Sequence, residues 1–396
     1  GLITLDMGGT SCDIAFIEGG TPLEVTEGEV ARRRLDVPAL DLTTISAGGG
    51  SIAWVDGGGL LAVGPQSAGA DPGPACYGKN GENPTVTDAD IVCGFLNPQY
   101  FLGGAQSLDI DASLKALEEK VGKLLGMTAL ETAAGIRRIV DMRMADEVRI
   151  FGAKRGVDQQ EFTLLPFGGA GAVHAAAVAE ELAMERILVP PRPGAFSALG
   201  LLCTDVVHDY IRSDLRPLNQ VPPAHAEAIM QELEERGRTE LKNEGMNPAA
   251  AIFAREIDMR YTGQGYELRV TLDGIGGADG LDDLALSEIR DRFDRIHERI
   301  HGHAAKEKTV EVVSYRVRAR VVVPKYKPVV KENSLKKPAP DEARKGFRQV
   351  WFTSDASTET IIWDREALPA GSVLSGPGIV EQLDSTIVVP SGWFGQ

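Results

Sequence analysis

The first seventeen residues leave few folds open to this chain. Residues 2–5 and 14–17 are short apolar runs joined by the glycine-rich segment Asp6-Met-Gly-Gly-Thr-Ser11. Two such runs around a glycine turn read as a β-hairpin. Gly8 and Gly9 permit positive φ there, so that successive backbone N–H groups can point into one concavity that binds phosphate oxygens. Thr10 and Ser11 add hydroxyl donors. Asp6, at the strand's end, is placed to hold Mg²⁺ through a water, since that ion is satisfied by one or two carboxylates plus phosphate and water. An ordinary glycine hairpin is the plain alternative, because Asp-x-Gly-x-Thr is a short pattern. With no initiator Met and no basic leader, the start reads as the middle of a domain.

A second glycine turn follows the predicted strand at 162–167: Gly168-Gly-Ala-Gly171 opens a helix running to about residue 184. Strand, glycine turn and helix make an α/β unit, and the positive helix end with its open backbone suits a nucleotide. The segment is neither a Walker A motif, lacking Gly-Lys-Ser/Thr, nor Gly-x-Gly-x-x-Gly. His174, placed in the first helical turn, is a candidate for phosphate contact or proton transfer, with a satisfied structural histidine as the alternative.

Between the two turns, strands are expected at 42–45, 52–55 and 60–63, separated by Ala47-Gly-Gly-Gly-Ser51 and Asp56-Gly-Gly-Gly59. Residues 69–98, rich in Gly, Pro and Asp, read as a long functional loop carrying Asp71, Cys76, Tyr77, Asp88 and Asp90. Helical periodicity covers 108–125 and 129–151. Beyond residue 209, helices at 224–243 and 287–301 alternate with strands at 256–261, 266–272 and 310–323, an α+β domain. Residues 325–345 are Lys- and Pro-rich and read as a linker to a small β-rich module. The expected division is therefore 1–209, 210–330 and 331–396.

Lys and Arg total 41 against 57 Asp and Glu, a formal charge of -16 that repels a phosphate backbone, so nucleic acid is not an expected partner. No apolar run approaches the roughly 18 residues of a membrane span. The four cysteines have no CxxC spacing and no disulfide-scaffold density, which fits a reducing cytoplasm. His297-Glu-Arg-Ile-His301 matches the H-E-x-x-H zinc pattern, but the metzincin third-ligand spacing is missing and a solvated helix face is the expected reading.

The motifs together resemble the hydantoinase A and oxoprolinase family. Asp6-Met-Gly-Gly-Thr-Ser-Cys-Asp13 is similar to its DMGGTSTD segment, Ala47-Gly-Gly-Gly-Ser-Ile52 to AGGGSI, and Val63-Gly-Pro-Gln-Ser-Ala-Gly-Ala-Asp-Pro-Gly-Pro-Ala-Cys-Tyr-Gly78 to VGPxSAGAxPGPxCYG. Pro84-Thr-Val-Thr-Asp-Ala89, Phe167-Gly-Gly-Ala-Gly-Ala-Val-His-Ala175, Asp258-Met-Arg-Tyr-Thr-Gly-Gln264 and Gly376-Pro-Gly-Ile-Val-Glu-Gln-Leu-Asp-Ser-Thr386 follow in family order. Cys12 departs from the usual Thr, and Ala172-Val173 from Pro-Leu.

The resemblance implies an actin/hexokinase-like (ribonuclease-H-like) ATPase lobe using ATP and Mg²⁺ to open cyclic amides or imides. Gly8, Gly9, Thr10 and Ser11, with Gly168, Gly169 and Gly171, would bind the phosphates, and Asp6, Asp88 and His174 would serve the chemistry. Gly48, Gly49, Cys76 and Tyr77 are the substrate-loop candidates, although no base is paired locally with Cys76 and a small buried thiol is its plain alternative. Family members also carry a first DxGGTFTD turn on an N-terminal lobe that this sequence lacks. That lobe then comes from a separate chain, or the sequence is a fragment without ATPase activity of its own. A hydantoinase B-type subunit in an oligomeric assembly is the further partner implied. Two rivals stand beside ring opening: an ATP-dependent ketone carboxylase subunit of the acetone or acetophenone type, and a non-catalytic scaffold or nucleotide sensor.

Overall fold

In a computed structural model the opening hairpin lies at the middle of a sheet. β1 (Leu2–Met7) and β2 (Cys12–Glu18) pair antiparallel, with Asp6 opposite Asp13. Alternation turns Ile3, Leu5 and Met7 of one strand and Cys12, Ile14 and Phe16 of the other into the core, as a period of two requires. β3 (Leu42–Ile45) extends the sheet beyond β2, while β4 (Ser51–Val55) and β5 (Leu61–Ser67) form their own antiparallel pair. The structure describes residues 1–25, 28–30, 33–35, 39–276, 280–327 and 336–396.

Residues 69–98 are not all loop. Thr85 caps α1 (Val86–Val92) in a reciprocal capping box with Asp88. Every residue of that helix is buried, so no polar face exists to give the periodicity that marks a helix in sequence. α2 (Ile110–Leu117) and the long α3 (Ala129–Arg155) follow, the latter capped by Thr128 with Glu131 and stopped by left-handed Gly156. β6 (Thr163–Phe167) then returns parallel to β1, bringing Phe167 opposite Asp6, and runs directly into α4 (Gly168–Glu181).

Compact units divide the chain differently from the sequence-based boundaries: Gly1–Gly200 goes with the described residues of Pro328–Gln396, and Leu201–Lys327 stands by itself. The C-terminal strands do not form a separate module. Val350, Ile362, Ile379 and Val388, from the sheet of Arg344–Val350, Thr358–Asp364, Gly378–Gln382 and Ser385–Val389, join the same hydrophobic core as β1, α1, α3 and α4. The linker expected at 325–345 falls partly on 328–335, outside the described residues.

The second unit is α+β. Strands Val206–Pro217, Val310–Val321, Ala251–Tyr261 and Leu268–Thr271 make one antiparallel sheet, and helices Pro223–Asn243 and Asp283–His301 bury apolar stripes against it. Val206–Pro217 escapes sequence detection because, as an edge strand, it is largely polar and exposed. Among the described residues no helix is long and apolar enough to cross a membrane.

Candidate active site

The β1–β2 turn is closed by Gly8 N–H donating to the Ser11 carbonyl at 3.1 Å, and the 47–51 turn is laid against it. Gly49 N–H donates to Gly8 O at 3.0 Å and Gly50 N–H to Gly9 O at 2.6 Å. A Cβ on Gly48 would sit 2.5 Å from Thr10 N, so this close approach requires glycine. Gly8 and Gly9 serve otherwise than expected: neither has positive φ, and a Cβ on either would meet nothing within 4 Å. Their role is to leave the turn's surface bare. Among the described residues, the amides of Gly9 and Thr10 donate to no backbone carbonyl outside regular elements. The Thr10 hydroxyl lies 3.3 Å from that of Ser67.

At the start of α4 the three glycines separate in role. Gly168 has φ +79°, and a Cβ there would fall 2.6 Å from the Met7 carbonyl carbon and 2.7 Å from Asp6 Oδ1. Gly171 sits over the Leu5 carbonyl, its Cβ position 3.1 Å away. These two seat the helix on β1. Gly169 faces open space, and no side chain caps the helix start, leaving first-turn N–H groups without intrahelical acceptors.

Gly8, Gly9, Gly49, Gly169 and Ala170 line a cavity of about 170 Å³. Tyr77, Thr87, Asp90, Leu96, Tyr100 and Phe101 contribute to its lining, as do Glu381 and residues 383–386. The motif segments starting at Asp6, Ala47, Pro84, Phe167 and Gly376, far apart in sequence, thus meet at one place. Asp6, Thr10, Ser11, Gly48, Cys76, Asp88, Gly168, Gly171 and His174 are not at its surface. Asp6 lies beside it in space, half-buried, with Oδ2 accepting from Ser197 Oγ at 2.8 Å. Burial raises its pKa above the usual carboxylate range; Ser197 opposes this and Asp13 adds to it.

Asp88 is a structural hub. Its carboxylate accepts from the amides of Ala75 (3.1 Å), Cys76 (2.8 Å) and Thr85 (2.9 Å) and from the hydroxyls of Thr85 (2.7 Å) and Ser113 (2.6 Å). No lone pair is left over for a ligand, so it organises the 75–88 loop rather than touching the cavity. Cys76 is fully buried, and burial, then Asp88, push its thiol well above the usual range, which removes the thiolate a nucleophile needs. Tyr77 stacks near Phe101, centroids 5.7 Å apart, and its phenol is pushed up to about 12 by burial, then Cys76 and Asp88.

His174 lies in the second turn of α4, not the first, and is fully buried. Nδ1 is 2.7 Å from Asp141 Oδ1. Nε2 is 3.4 Å from Asp90 Oδ2, within ion-pair range but without hydrogen-bond alignment, and has no other partner. Asp90 Oδ1 is paired with Arg137, whose guanidinium lies 3.7 Å over the Phe95 ring. Burial alone would neutralise the imidazole, but Asp90 and then Asp141 prevail and raise its pKa to about 9. For Asp90 burial again works against charge, and Arg137 and His174 prevail, holding it below the usual carboxylate range. Sequence reasoning singled out Asp90 only as a polar loop residue and missed Arg137 and Asp141, which share the buried face of α3 four residues apart.

In the second unit the H-E-x-x-H segment is not a solvated face throughout. His297 is fully buried, Nδ1 lying 2.7 Å from the His303 carbonyl and Nε2 3.0 Å from the Gln264 side-chain amide. Among the described residues no group of three His, Cys, Asp or Glu side chains could hold a metal ion.

Two interlocked glycine turns and an uncapped helix start around one small cavity define a mixed α/β protein. The chain belongs to the hydantoinase/oxoprolinase family, whose model matches residues 1–210 and whose C-terminal-domain model matches residues 222–395. It is 33% identical to caprolactamase subunit alpha of Pseudomonas jessenii, over 99% of this chain and 56% of that protein. With acetophenone carboxylase gamma subunit of Aromatoleum aromaticum the identity is 34%, over 97% of this chain and 53% of the other. Nucleotide-free acetone carboxylase superposes with a TM-score of 0.89 at 27% identity, covering 99% of this chain and 56% of that one. The crystal structure of the ATP-dependent caprolactamase gives a TM-score of 0.70 at 32% identity, covering 99% and 57%. The chain thus spans about half the length of these relatives.

Proposed function

We propose that this chain is part of an ATP-dependent enzyme that opens cyclic amides or imides, activating the ring carbonyl by phosphoryl transfer. The observation that carries it is the convergence of the Gly8–Gly9 turn, Gly49 and the α4 start on one cavity. An amide carbonyl is deactivated by resonance, so phosphorylation makes its hydrolysis accessible, and catalysis of phosphoryl transfer is mostly positioning and charge stabilisation. Free amides at Gly9 and Thr10, the Thr10 and Ser11 hydroxyls and the uncapped N–H groups near Gly169 suit phosphate oxygens. Among the described residues Asp6 accepts a hydrogen bond only at Oδ2, from Ser197, and the free Oδ1 suits a carboxylate that holds Mg²⁺ through water. When bound, the ion would neutralise phosphate charge.

The antiparallel β1–β2 hairpin with β6 parallel to β1 supports an actin/hexokinase-like, ribonuclease-H-like lobe. A cavity of about 170 Å³ falls below the ~300 Å³ from which drug-sized ligands are taken, so it suits a small ring rather than a whole nucleotide. The remainder of an ATP cleft would come from an N-terminal lobe outside these residues, and ring opening itself would draw on a hydantoinase B-type partner subunit.

Ketone carboxylation is the second reading, favoured by the higher TM-score with acetone carboxylase. The test is calorimetry of Mg-ATP binding to this chain alone and with its co-purifying partners. It is followed by ATP turnover with hydantoin, 5-oxoproline, ε-caprolactam, or acetone plus bicarbonate. ATP turnover driven only by a ketone with bicarbonate would replace the first reading with the second, and no nucleotide binding in any assembly would remove both.

A further inference from the structure

The cavity's chemistry points beyond phosphate. Its glycine turns offer donors, but its lining also includes an acidic residue, Asp90, which is almost fully buried. A buried carboxylate can only accept hydrogen bonds, and a ligand set against it must donate one. A ketone has no donor and bicarbonate adds a negative charge beside Asp90, whereas a ring amide or imide presents an N–H. Behind Asp90 lies the only buried side-chain nitrogen at this site without a hydrogen-bond partner among the described residues, His174 Nε2, 3.4 Å from Asp90 Oδ2.

Resting on the ring-opening reading above, we propose that Asp90 receives the substrate's ring N–H and that His174, oriented by Asp141, supplies through Asp90 the proton taken up by the leaving nitrogen. Arg137 holds the other carboxylate oxygen and so fixes the direction of Oδ2. As the O-phosphorylated ring carbon takes the oxygen of a water, whose protons pass to solvent, the C–N bond breaks, its electron pair stays on nitrogen, and the carbon is left as an acyl phosphate that a second water hydrolyses to carboxylate and inorganic phosphate. The Nε2 proton of His174 passes by way of Asp90 Oδ2 to that nitrogen, so that Asp90 is a carboxylate before the step and after it. His174 is left neutral, keeping its Nδ1 proton in the hydrogen bond to Asp141, and it recovers a proton on Nε2 from solvent after product leaves. No electrons are gained or lost. Asp90 is then a catalytic residue, and His174, Asp141 and Arg137 are positioning residues.

The imidazole is faced by Asp90 from α1 and by Asp141 from α3, and those two carboxylates are in turn faced by Arg137 from α3, beside which lies Cys93. The C-terminal segment brings two charged members to the cavity, Glu381, engaged by Lys345 at 2.6 Å and by Arg348, and Asp384, which accepts from Gly194 N–H at 3.0 Å and from Gln382. The carboxylates beside His174 are thus balanced by Arg137 and by the imidazolium itself.

Two measurements test the proposal separately from the function it rests on. In the intact chain, the ¹⁵N signals of His174 should report an imidazolium at pH 7.5, and D90N should lower the titration midpoint by at least a unit. Should D90N fail to fold, D141N serves, with the same direction expected. A neutral ring at pH 7.5 in the unmodified protein would overturn the relay. In the full-length protein with its partners, ε-caprolactam should exceed N-methylcaprolactam in kcat/KM by a hundredfold or more, and H174Q should lower kcat for ε-caprolactam with little change in KM. Equal turnover of the N–H and N-methyl lactams would refute the role of Asp90 while leaving ring opening intact. Absence of turnover with any cyclic amide, beside an imidazolium that depends on Asp90, would instead refute the ring-opening reading and sustain the pairing.

Discussion

Gly168 and Gly169 are neighbours in one glycine motif, and the structure gives alanine at each an opposite outcome. At Gly168 the backbone sits at φ +79°, where an L-residue costs ~1–2 kcal/mol. The added methyl would also lie 2.6 Å from the Met7 carbonyl carbon and 2.7 Å from Asp6 Oδ1. The Met7 carbonyl cannot swing away, because β1 is locked between β2 and β6, so the strain of overpacking, ~1–3 kcal/mol, adds to the first. Gly168→Ala should therefore lose about 3 kcal/mol, or roughly 6–12 °C in Tm at the ~2–4 °C per kcal/mol of a domain this size. At Gly169 φ is not positive and the Cβ position is empty, so alanine should hold or slightly raise Tm, by up to ~1 kcal/mol through the unfolded chain. It would nonetheless place a methyl in the cavity and weaken Mg-ATP binding. Differential scanning calorimetry of both variants, with nucleotide titration of the folded one, decides the matter. Equal Tm losses, or none for Gly168→Ala, would refute the assignment of one glycine to packing and the other to the ligand.

Asp88→Asn removes the charge that five donors share and sets an amide NH₂ against at least one of them, so a loss of about 3 kcal/mol in urea unfolding is expected. Normal stability with abolished turnover would instead return Asp88 to the chemistry. His174 has a folded pKa of about 9 against an ordinary 6.5, because Asp90 and Asp141 outweigh the burial that opposes charge. Its contribution to stability is therefore complete below pH 6.5 and lost as pH rises through about 9, and H174Q should flatten that part of the Tm–pH curve. An unchanged slope would show that the ring is neutral throughout. Of the four cysteines, Cys12, Cys76 and Cys93 are buried, so a thiol reagent at pH 8 should label only Cys203 in the folded chain and all four in denaturant. Labelling of Cys76 in the native protein would restore it as a candidate nucleophile.

The parts of this site that could be read in advance are those where one residue type answers one local demand. The β1–β2 hairpin, the β6-to-α4 turn and the second unit's helices each follow from apolar period and glycine position within about ten residues, and each stands where the pattern put it. Gly8 and Gly168 look identical in sequence, yet one keeps a surface bare and the other lets a helix start touch a strand. That difference depends on what lies across the gap, which local pattern does not encode. α1 was hidden for the reverse reason: burial on all sides erased its period. The Asp90–Arg137–His174–Asp141 cluster is harder still. Its members lie on three helices, and only the packing of α3 between α1 and α4 makes two carboxylates, a guanidinium and an imidazole neutralise one another. Deep burial of any one of them alone would be prohibitive. Glu381 and Asp384 arrive nearly three hundred residues after Asp90, one on a strand and the other in the turn that follows it, and the apolar faces of the strands on either side complete the first unit's core. The C-terminal segment is therefore held at the cavity by the same packing that stabilises the sheet, so a change to that core should reach the ligand wall without touching a glycine turn.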